Sequence, residues 1–513
     1  MFRLDYSQFR QPAAPARPLQ LAARTRGVLW TLLALLLALR LVAIVVIPLT
    51  DTSEARYGEI ARKMVETGDW ITPQFAYGIP FWAKPPLSMW LSALGIDAFG
   101  VNEFAVRLPS LLLAIAMLAL VWRWVATRRQ RDQALLSVAV LSSLVLFFAA
   151  AGAVMTDISL ALCTTLTMIA FWHAFNDNDR RWGYAFFVGL GFGLLAKGPL
   201  VGVITLLPVV PWLFLRRGWR RTWQCLPWLG GSLLMLAIAL PWYALAEHKT
   251  PGFLRYFIIG EHIDRFLYPH WHGDKYGNAH VEPIGMIWVY WLGAAFPFSF
   301  LALGWSALNA RRLPALLRDD DGWALYLLLW SGVLLLFFTF ARNIIWTYPL
   351  ATLPALACLV VEIARRARQR APWSAYVFVG ACIVSLVGGA WYTALYLDDS
   401  TAVKSSQRDL VAQWLRLRGD ADSRLVYYRN RYYSAEFYSH GRATVRMTMT
   451  ELEPLLHNDT RDFIALKDKH LKQLTPPLRA GFRAVGHYDD VTLLAEITDR
   501  PHAAPLHPDV APR

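Results

Sequence analysis

The segment Asp51-Thr52-Ser53-Glu54-Ala55-Arg56-Tyr57 places two carboxylates, a guanidinium and a phenol within seven residues. A carboxylate there could orient or deprotonate an acceptor group. The neighbouring cation could hold an anion such as a phosphate. Asp51 and Glu54 compete for the catalytic role, with Arg56 and Tyr57 as substrate-binding candidates. Further on, Lys84 lies in Phe81-Trp82-Ala83-Lys84-Pro85-Pro86. Two prolines impose an extended, non-helical backbone, so a fixed turn could aim a compact positive charge at a phosphate. A lysine snorkelling to an interface is the plainer alternative. Asp157, in Met155-Thr156-Asp157, enters a long apolar run. A carboxylate in such a place is costly and is usually paired or functional, although helix capping also explains it. Lys197 sits in Ala196-Lys197-Gly198-Pro199, a reversal between two apolar runs. Glu261-His262-Ile263-Asp264-Arg265 is followed by His270, His272 and Asp274. These histidines and acids could bind a divalent metal, but their spacing fits no strict zinc motif. Hydrogen-bonding or substrate-binding roles for His262 and Arg265 are the better fit. Arg342 and Tyr348 close the set of candidates.

The elements that must position these residues are apolar. Of 513 residues, 56% are hydrophobic and 17% charged. Soluble domains run at about 45–50% and about 25%. An ordinary soluble enzyme and a disordered chain are both excluded. The four cysteines, Cys163, Cys225, Cys358 and Cys382, all fall in apolar runs. They are expected as small buried hydrophobes, with no disulfide or zinc framework.

Membrane spans are expected near 28–49, 104–122, 134–151, 158–175, 184–196, 199–215, 226–246, 285–308, 323–340, 345–364 and 374–397. Each is of the order needed to cross about 30 Å of hydrocarbon. The first is too long and leucine-rich for a cleaved signal and is expected as an anchor. With the N-terminus cytoplasmic, the inner loops collect about 22 lysines and arginines against about 10 outside. The net charge of +14 is thus mostly a topology signal facing anionic lipid, and needs no nucleic-acid partner.

On this topology residues 1–397 form a multi-spanning domain whose loops 50–87 and 247–284 lie outside. Residues 398–513 are nearly neutral and are expected as a small outer α/β domain with a loose end. Its helix-like run is 403–417, and its strand-like runs are 425–428, 463–466 and 491–497. Within 50–87, Tyr57, Ile60, Met64 and Val65 recur at helical spacing, predicting an amphipathic interfacial helix capped by Thr52 or Ser53. The candidate residues all fall at the outer interface. Transporters place ionisable groups near the midplane, so the pattern favours chemistry on a lipid-borne substrate.

The motifs Asp51-x-x-Glu54-Ala-Arg56-Tyr57, Gly68-Asp69-Trp70, Lys84-Pro85, Asn102-Glu103-Phe104 with Arg107, Thr156-Asp157 and Lys197-Gly198-Pro199 resemble the bacterial lipid A aminoarabinose transferase family. That family is related to the protein O-mannosyltransferases. The resemblance covers roughly residues 28–365. It implies a mainly α, polytopic GT-C fold of about 11–13 transmembrane helices with a periplasmic C-terminal domain. It implies a bacterial inner-membrane location with the active site facing the periplasm. The implied reaction moves an aminoarabinose-like sugar from undecaprenyl phosphate to a lipid A phosphate, and the implied partners are that donor, that acceptor and membrane lipids. Transfer to a protein hydroxyl or another glycan, and flipping of a lipid-linked sugar, are the alternatives. Where the family has an Asp directly before its Glu, this chain has Ser53, and where it has a Glu before Lys-Pro, this chain has Ala83. No cofactor is required by the resemblance, and a divalent metal stays open.

Overall fold

The computed structural model describes residues 20–268, 271, 273–277, 281–308, 321–367, 374–396, 406–419, 422–458 and 460–497. His270, His272 and the arginines at 311, 312, 318, 368 and 370 lie outside the described residues, as do the first nineteen residues and the last sixteen.

The chain separates into two units, each built from discontinuous segments. The first comprises Met1–Val42, Phe81–Ser88 and Ser110–Trp391. It is helical because its long runs of Leu, Ala, Val and Phe satisfy every backbone group internally, as a membrane demands. Among the described residues, six helices are long and apolar enough to cross a membrane: Ala23–Val46, Glu103–Arg128, Thr156–Asp177, Trp228–Lys249, Tyr348–Arg366 and Ala375–Leu395. A seventh candidate, Met286–Ala294 with Phe298–Gly304, is bent by 111°. Every expected span falls on helix, but two are broken. The run 134–151 divides into Arg131–Ser143 and Val145–Ala150, because Leu144 adopts extended backbone. The run 285–308 divides at Ala295–Pro297, where proline has no N–H to continue the ladder.

Helix Arg180–Lys197 packs against Thr156–Asp177 on one side and Trp228–Lys249 on the other. Asp179 accepts from Arg181 N–H at 2.9 Å and starts it. Gly198, at φ 75°, stops it, leaving Lys197 as its last residue. Glycines let these helices approach closely: a Cβ on Gly189 would stand 2.3 Å from Thr167 Oγ1, and one on Gly231 would stand 2.0 Å from the Phe187 ring.

The second unit comprises Ala43–Pro80, Met89–Pro109 and Tyr392–Arg513. Helix Ser53–Thr67 carries Glu54 in its first turn, where negative charge is favoured, and ends at Gly68 with φ 68°. A short hairpin follows, β1 (Gln74–Ala76) against β2 (Ile79–Pro80). Helix Leu87–Phe99, absent from the expected spans, begins directly after Pro85-Pro86.

The C-terminal segment folds around a five-stranded sheet of order β4-β3-β5-β7-β6. Its strands are β3 (Leu425–Tyr428), β4 (Ala443–Arg446), β5 (Phe463–Lys467), β6 (Phe482–Tyr488) and β7 (Val491–Glu496). β3 pairs in parallel with β4 and β5, whereas β7 runs antiparallel to β5 and β6. Both faces are covered, so β3 is buried throughout. Leu425 and Tyr427 join Leu410, Trp414 and Leu493 on one face. Val426 and Tyr428 join Leu455, Ile464 and Leu478 on the other.

Candidate functional site

In the first unit, Lys84 and Arg265 converge on one carboxylate. Lys84 Nζ lies 3.1 Å from Glu261 Oε2, and Arg265 Nη1 lies 3.0 Å from the same oxygen. Tyr256 donates its hydroxyl to Oε1 at 3.1 Å. Glu261 belongs to the π-helical stretch Arg255–Asp264, and Arg265 follows it. The Glu261 side chain is 2% exposed while Lys84 and Arg265 are 19% and 23% exposed. The acid is therefore the buried anchor, and the two cations are the groups that a ligand can reach. Burial works to raise the Glu261 carboxyl, but Lys84 and then Arg265 outweigh it and hold it below the ordinary carboxylate range. Asp274 is 3.7 Å from Arg265, beyond hydrogen-bond length. Asp274 makes a second, longer ion pair with Arg265, so the two cations balance two carboxylates, and Lys84 and Arg265 are the more exposed members that an anion would meet.

His262 turns both ring nitrogens to main chain: Nδ1 lies 2.7 Å from Phe257 O and Nε2 3.2 Å from Lys197 O. Burial holds it below the usual histidine range. The neutral ring has one N–H, so it donates to one of the two carbonyls. Phe257 O is the nearer of the two, and the Lys197 carbonyl lies against the other ring nitrogen.

Lys197 Nζ donates to Asp157 Oδ1 at 2.6 Å, and Thr347 Oγ1 donates to that oxygen at 3.0 Å. The ammonium also stands 4.8 Å from the Tyr348 ring centroid. Asp157 and Lys197 are both buried. They line a cavity of about 20 Å³ with Thr347, Tyr348, Leu334 and Phe338, room for at least one water. Arg342 is exposed, and its carbonyl accepts from Glu282 N–H at 2.8 Å. Its neighbour Asn343 donates Nδ2 to the carbonyls of Arg265 and, at 3.1 Å, Tyr268. The first unit thus brings Lys84, His262, Arg265, Lys197, Asp157 and Tyr348 into linked contacts, whereas the Arg342 side chain is exposed.

In the second unit the two first-loop carboxylates serve different partners. Glu54 meets Arg107 side by side, Oε1 accepting from Nε at 2.8 Å and Oε2 from Nη2 at 2.7 Å. Oε2 also caps the turn, 3.3 Å from Thr50 N–H. Arg107 donates its remaining hydrogens to the carbonyls of Ile44, Ile47 and Pro48. Arg56 lies over the Tyr57 ring at 5.6 Å and the Tyr433 ring at 5.9 Å. Asp51 points to the C-terminal segment. Its Oδ1 accepts Tyr433 N–H at 2.8 Å and Ser434 N–H at 3.2 Å, and its Oδ2 accepts the Ser434 hydroxyl. Burial pushes Asp51 up to about 6 against the hydrogen bonds from Ser434 and Tyr433, which pull it down. Asp51 starts the helix Tyr433–Tyr438, whose first N–H groups have no intrahelical acceptor.

Two groups are easily missed in the sequence. Glu261 is marked only by its i,i+4 spacing to Arg265. Glu436, which holds Lys63 and Arg431, lies 373 residues from Lys63 and has no local signal. Among the described residues no three His, Cys, Asp or Glu side chains gather as a metal site requires.

Residues 28–257 match the family described as dolichyl-phosphate-mannose-protein mannosyltransferase. Over 322 residues the chain is 31% identical to the undecaprenyl phosphate-alpha-4-amino-4-deoxy-L-arabinose arabinosyl transferase of Erwinia tasmaniensis, covering 61% of this chain and 55% of that protein. Over 325 residues it is 32% identical to the same-named protein of Pseudomonas aeruginosa, covering 60% of this chain and 54% of that one. The chain matches little more than half the length of these relatives. The crystal structure of ArnT from Cupriavidus metallidurans bound to undecaprenyl phosphate superimposes with a TM-score of 0.76 at 19% identity, over 94% of this chain and 100% of that one. The apo state of that protein gives 0.74 at 18% identity, with the same coverage. The likeness shows the fold: a mainly α, multi-pass GT-C architecture with a small C-terminal sheet domain.

Proposed function

We propose that the chain, whose residues 28–257 match the dolichyl-phosphate-mannose-protein mannosyltransferase family, is a membrane glycosyltransferase. It moves an aminoarabinose-like sugar from undecaprenyl phosphate to a lipid A phosphate on the periplasmic side of the inner membrane. The observation that carries this reading is the convergence of Lys84 and Arg265 on the buried Glu261. The activities for which the relatives are named supply the donor class.

The acceptor oxygen attacks the anomeric carbon, and the bond from that carbon to the polyprenyl phosphate oxygen breaks with inversion. The electron pair leaves on the phosphate, so negative charge grows there in the transition state. Cations already in place stabilise it without reorganising, and Lys84 and Arg265 are the two that a phosphate can reach. Glu261 keeps them apart and aimed before the donor arrives. A phosphate monoester acceptor is already anionic at neutral pH, so positioning matters more than proton removal. Asp157, fixed by Lys197 and Thr347, is the carboxylate assigned to orient the acceptor or the sugar's amino group. Tyr348 and Lys197 shape that end of the site. His262 packs beside the Lys197 carbonyl, while Glu54, Arg56 and Tyr57 stiffen the first-loop helix. Arg342, exposed at the surface, is assigned to the headgroup of the acceptor.

The test is direct. Purified protein, the undecaprenyl-phosphate aminoarabinose donor and lipid A are incubated in detergent and read by mass spectrometry. Lipid A should gain one aminoarabinose. Unmodified lipid A together with a glycosylated protein or glycan would move the assignment to the other acceptor class.

A further inference from the structure

The C-terminal domain grips the first loop through one short helix. Four of the six residues of Tyr433–Tyr438 make polar contacts with it or its flanks. Tyr433 N–H and Ser434 N–H donate to Asp51 at 2.8 and 3.2 Å, joined by the Ser434 hydroxyl. Glu436 accepts from Lys63 at 3.1 Å. Tyr438 accepts from Leu49 N–H at 2.8 Å and donates to Glu103 at 2.9 Å. Phe437 packs where Gly58 leaves room for it. Arg431, just before the helix, reaches the Phe75 carbonyl at 2.9 Å in hairpin strand β1. Lys63, buried in the loop helix, donates to that same carbonyl at 3.2 Å. Both ends of the loop, residues 49–51 and 75, are thus tied to the tail.

We propose that Asp51 and Ser434 are a positioning pair through which the C-terminal domain holds helix Ser53–Thr67 in the geometry required for transfer. The proposal rests on the glycosyl-transfer reading above. Three donors on the tail hold both carboxylate oxygens of Asp51, which assigns it to positioning rather than to proton transfer. Its side chain does for a remote helix what an N-cap does for a local one. The hairpin closes at Pro80, four residues before Lys84, so loop and cation share one short tether. Reacting groups tolerate little displacement, an error of about 1 Å costing on the order of 10²-fold in rate.

The chemistry separates a positioning residue from a base. Asn keeps the shape of Asp51 and an acceptor for the two N–H groups, and its amide can donate to the Ser434 oxygen. Ala keeps neither. The full-length protein is prepared as Asp51→Asn, Asp51→Ala and Ser434→Ala. Each is assayed for donor KM and kcat and for amide hydrogen exchange over residues 53–67 and 433–438. Asp51→Asn should stay close to the wild-type rate. Asp51→Ala and Ser434→Ala should lose kcat, Asp51→Ala on the order of 10²-fold, with donor KM little changed and faster exchange in both segments. If Asp51→Ala does not insert, Ser434→Ala decides alone, since it removes only one hydroxyl. An inactive Asp51→Asn beside a fully active Ser434→Ala overturns the proposal. So does faster exchange with an unchanged kcat. If the wild-type protein transfers no sugar, the function reading fails, and unchanged exchange in Asp51→Ala and Ser434→Ala would separately sink the contact.

Discussion

Asp157 and Lys197 form a buried ion pair at 2.6 Å, and the carboxylate oxygen that takes the ammonium also takes the Thr347 hydroxyl. The pair joins the start of one membrane helix to the end of the next. Removing one member of such a pair strands the other charge without water. The cost is typically about 3–5 kcal/mol, whereas replacing both by apolar groups is often neutral.

Asp157→Leu alone should therefore lower thermal stability in detergent. Asp157→Leu with Lys197→Met should regain most of the melting temperature and none of the transfer. Recovered activity in the double variant would show that the pair only holds helices together.

Lys84→Ala should insert normally and lose transfer by a factor on the order of 10²–10³, the usual cost of one charge-stabilising donor. The check is turnover with the lipid donor at saturating acceptor. A wild-type rate would make Lys84 an interfacial anchor.

Arg107 and Glu54 are 3% and 11% exposed, so their contact is structural. Arg107→Ala abandons three main-chain carbonyls as well as Glu54 and should destabilise more than Glu54→Gln, which keeps a neutral acceptor. Differential scanning of the two variants decides it, and equal melting temperatures would contradict the geometry.

Asp51 predicts a pH effect. Its docked value of about 6 exceeds the ordinary 3.8, and burial is the main cause. A raised value means that the contact is fully stabilising below 3.8 and loses that contribution as pH rises through about 6. Glu436 also faces Asp51 and raises it, and Tyr427 and Tyr432 sense its charge. Exchange at Tyr433 and Ser434, corrected for intrinsic rate, should be slower near about pH 5 than near about pH 7.5. Asp51→Asn should flatten that difference. A pH-independent wild type would refute the shift.

Orientation follows from the arginine bias. A cysteine at His440 should react with an impermeant thiol reagent in intact spheroplasts, and one at Trp219 should not. The reverse pattern would invert the topology.

The membrane helices were legible because their signal is composition over a long window, and apolar runs were sufficient for it. The break at Leu144 and the 111° bend were not legible, since each interrupts an apolar run without changing its hydropathy. Helix Leu87–Phe99 escaped because it is short and follows two prolines. In the tail, β3, β5 and β7 were visible as runs of large apolar residues. β4 and β6 were not, because each lies at a sheet edge with exposed polar positions. At the site, Lys84, Lys197 and Arg265 could be picked out by type and neighbours. The pairings of Lys84 with Glu261 and of Lys197 with Asp157 could not, because contacts across 177 and 40 residues leave no local trace. Asp51 was the most misleading residue. An acid beside Arg56 resembles a base from its neighbours in sequence, and only the position of Ser434 shows what it holds.

Gly189 contains no reactive atom, yet it bears on where Lys197 can reach. A Cβ there would collide with Thr167, forcing helix Arg180–Lys197 to tilt away from the helix that carries Asp157. Lys197 lies eight residues further along, about 12 Å at 1.5 Å per residue. A tilt of about 10° would swing that end by about 2 Å, enough to pull the ammonium out of reach of Asp157. Variants in the glycine face of a membrane helix would then behave kinetically like variants of the charge at its tip, and selection for activity would be felt at positions where no chemistry occurs.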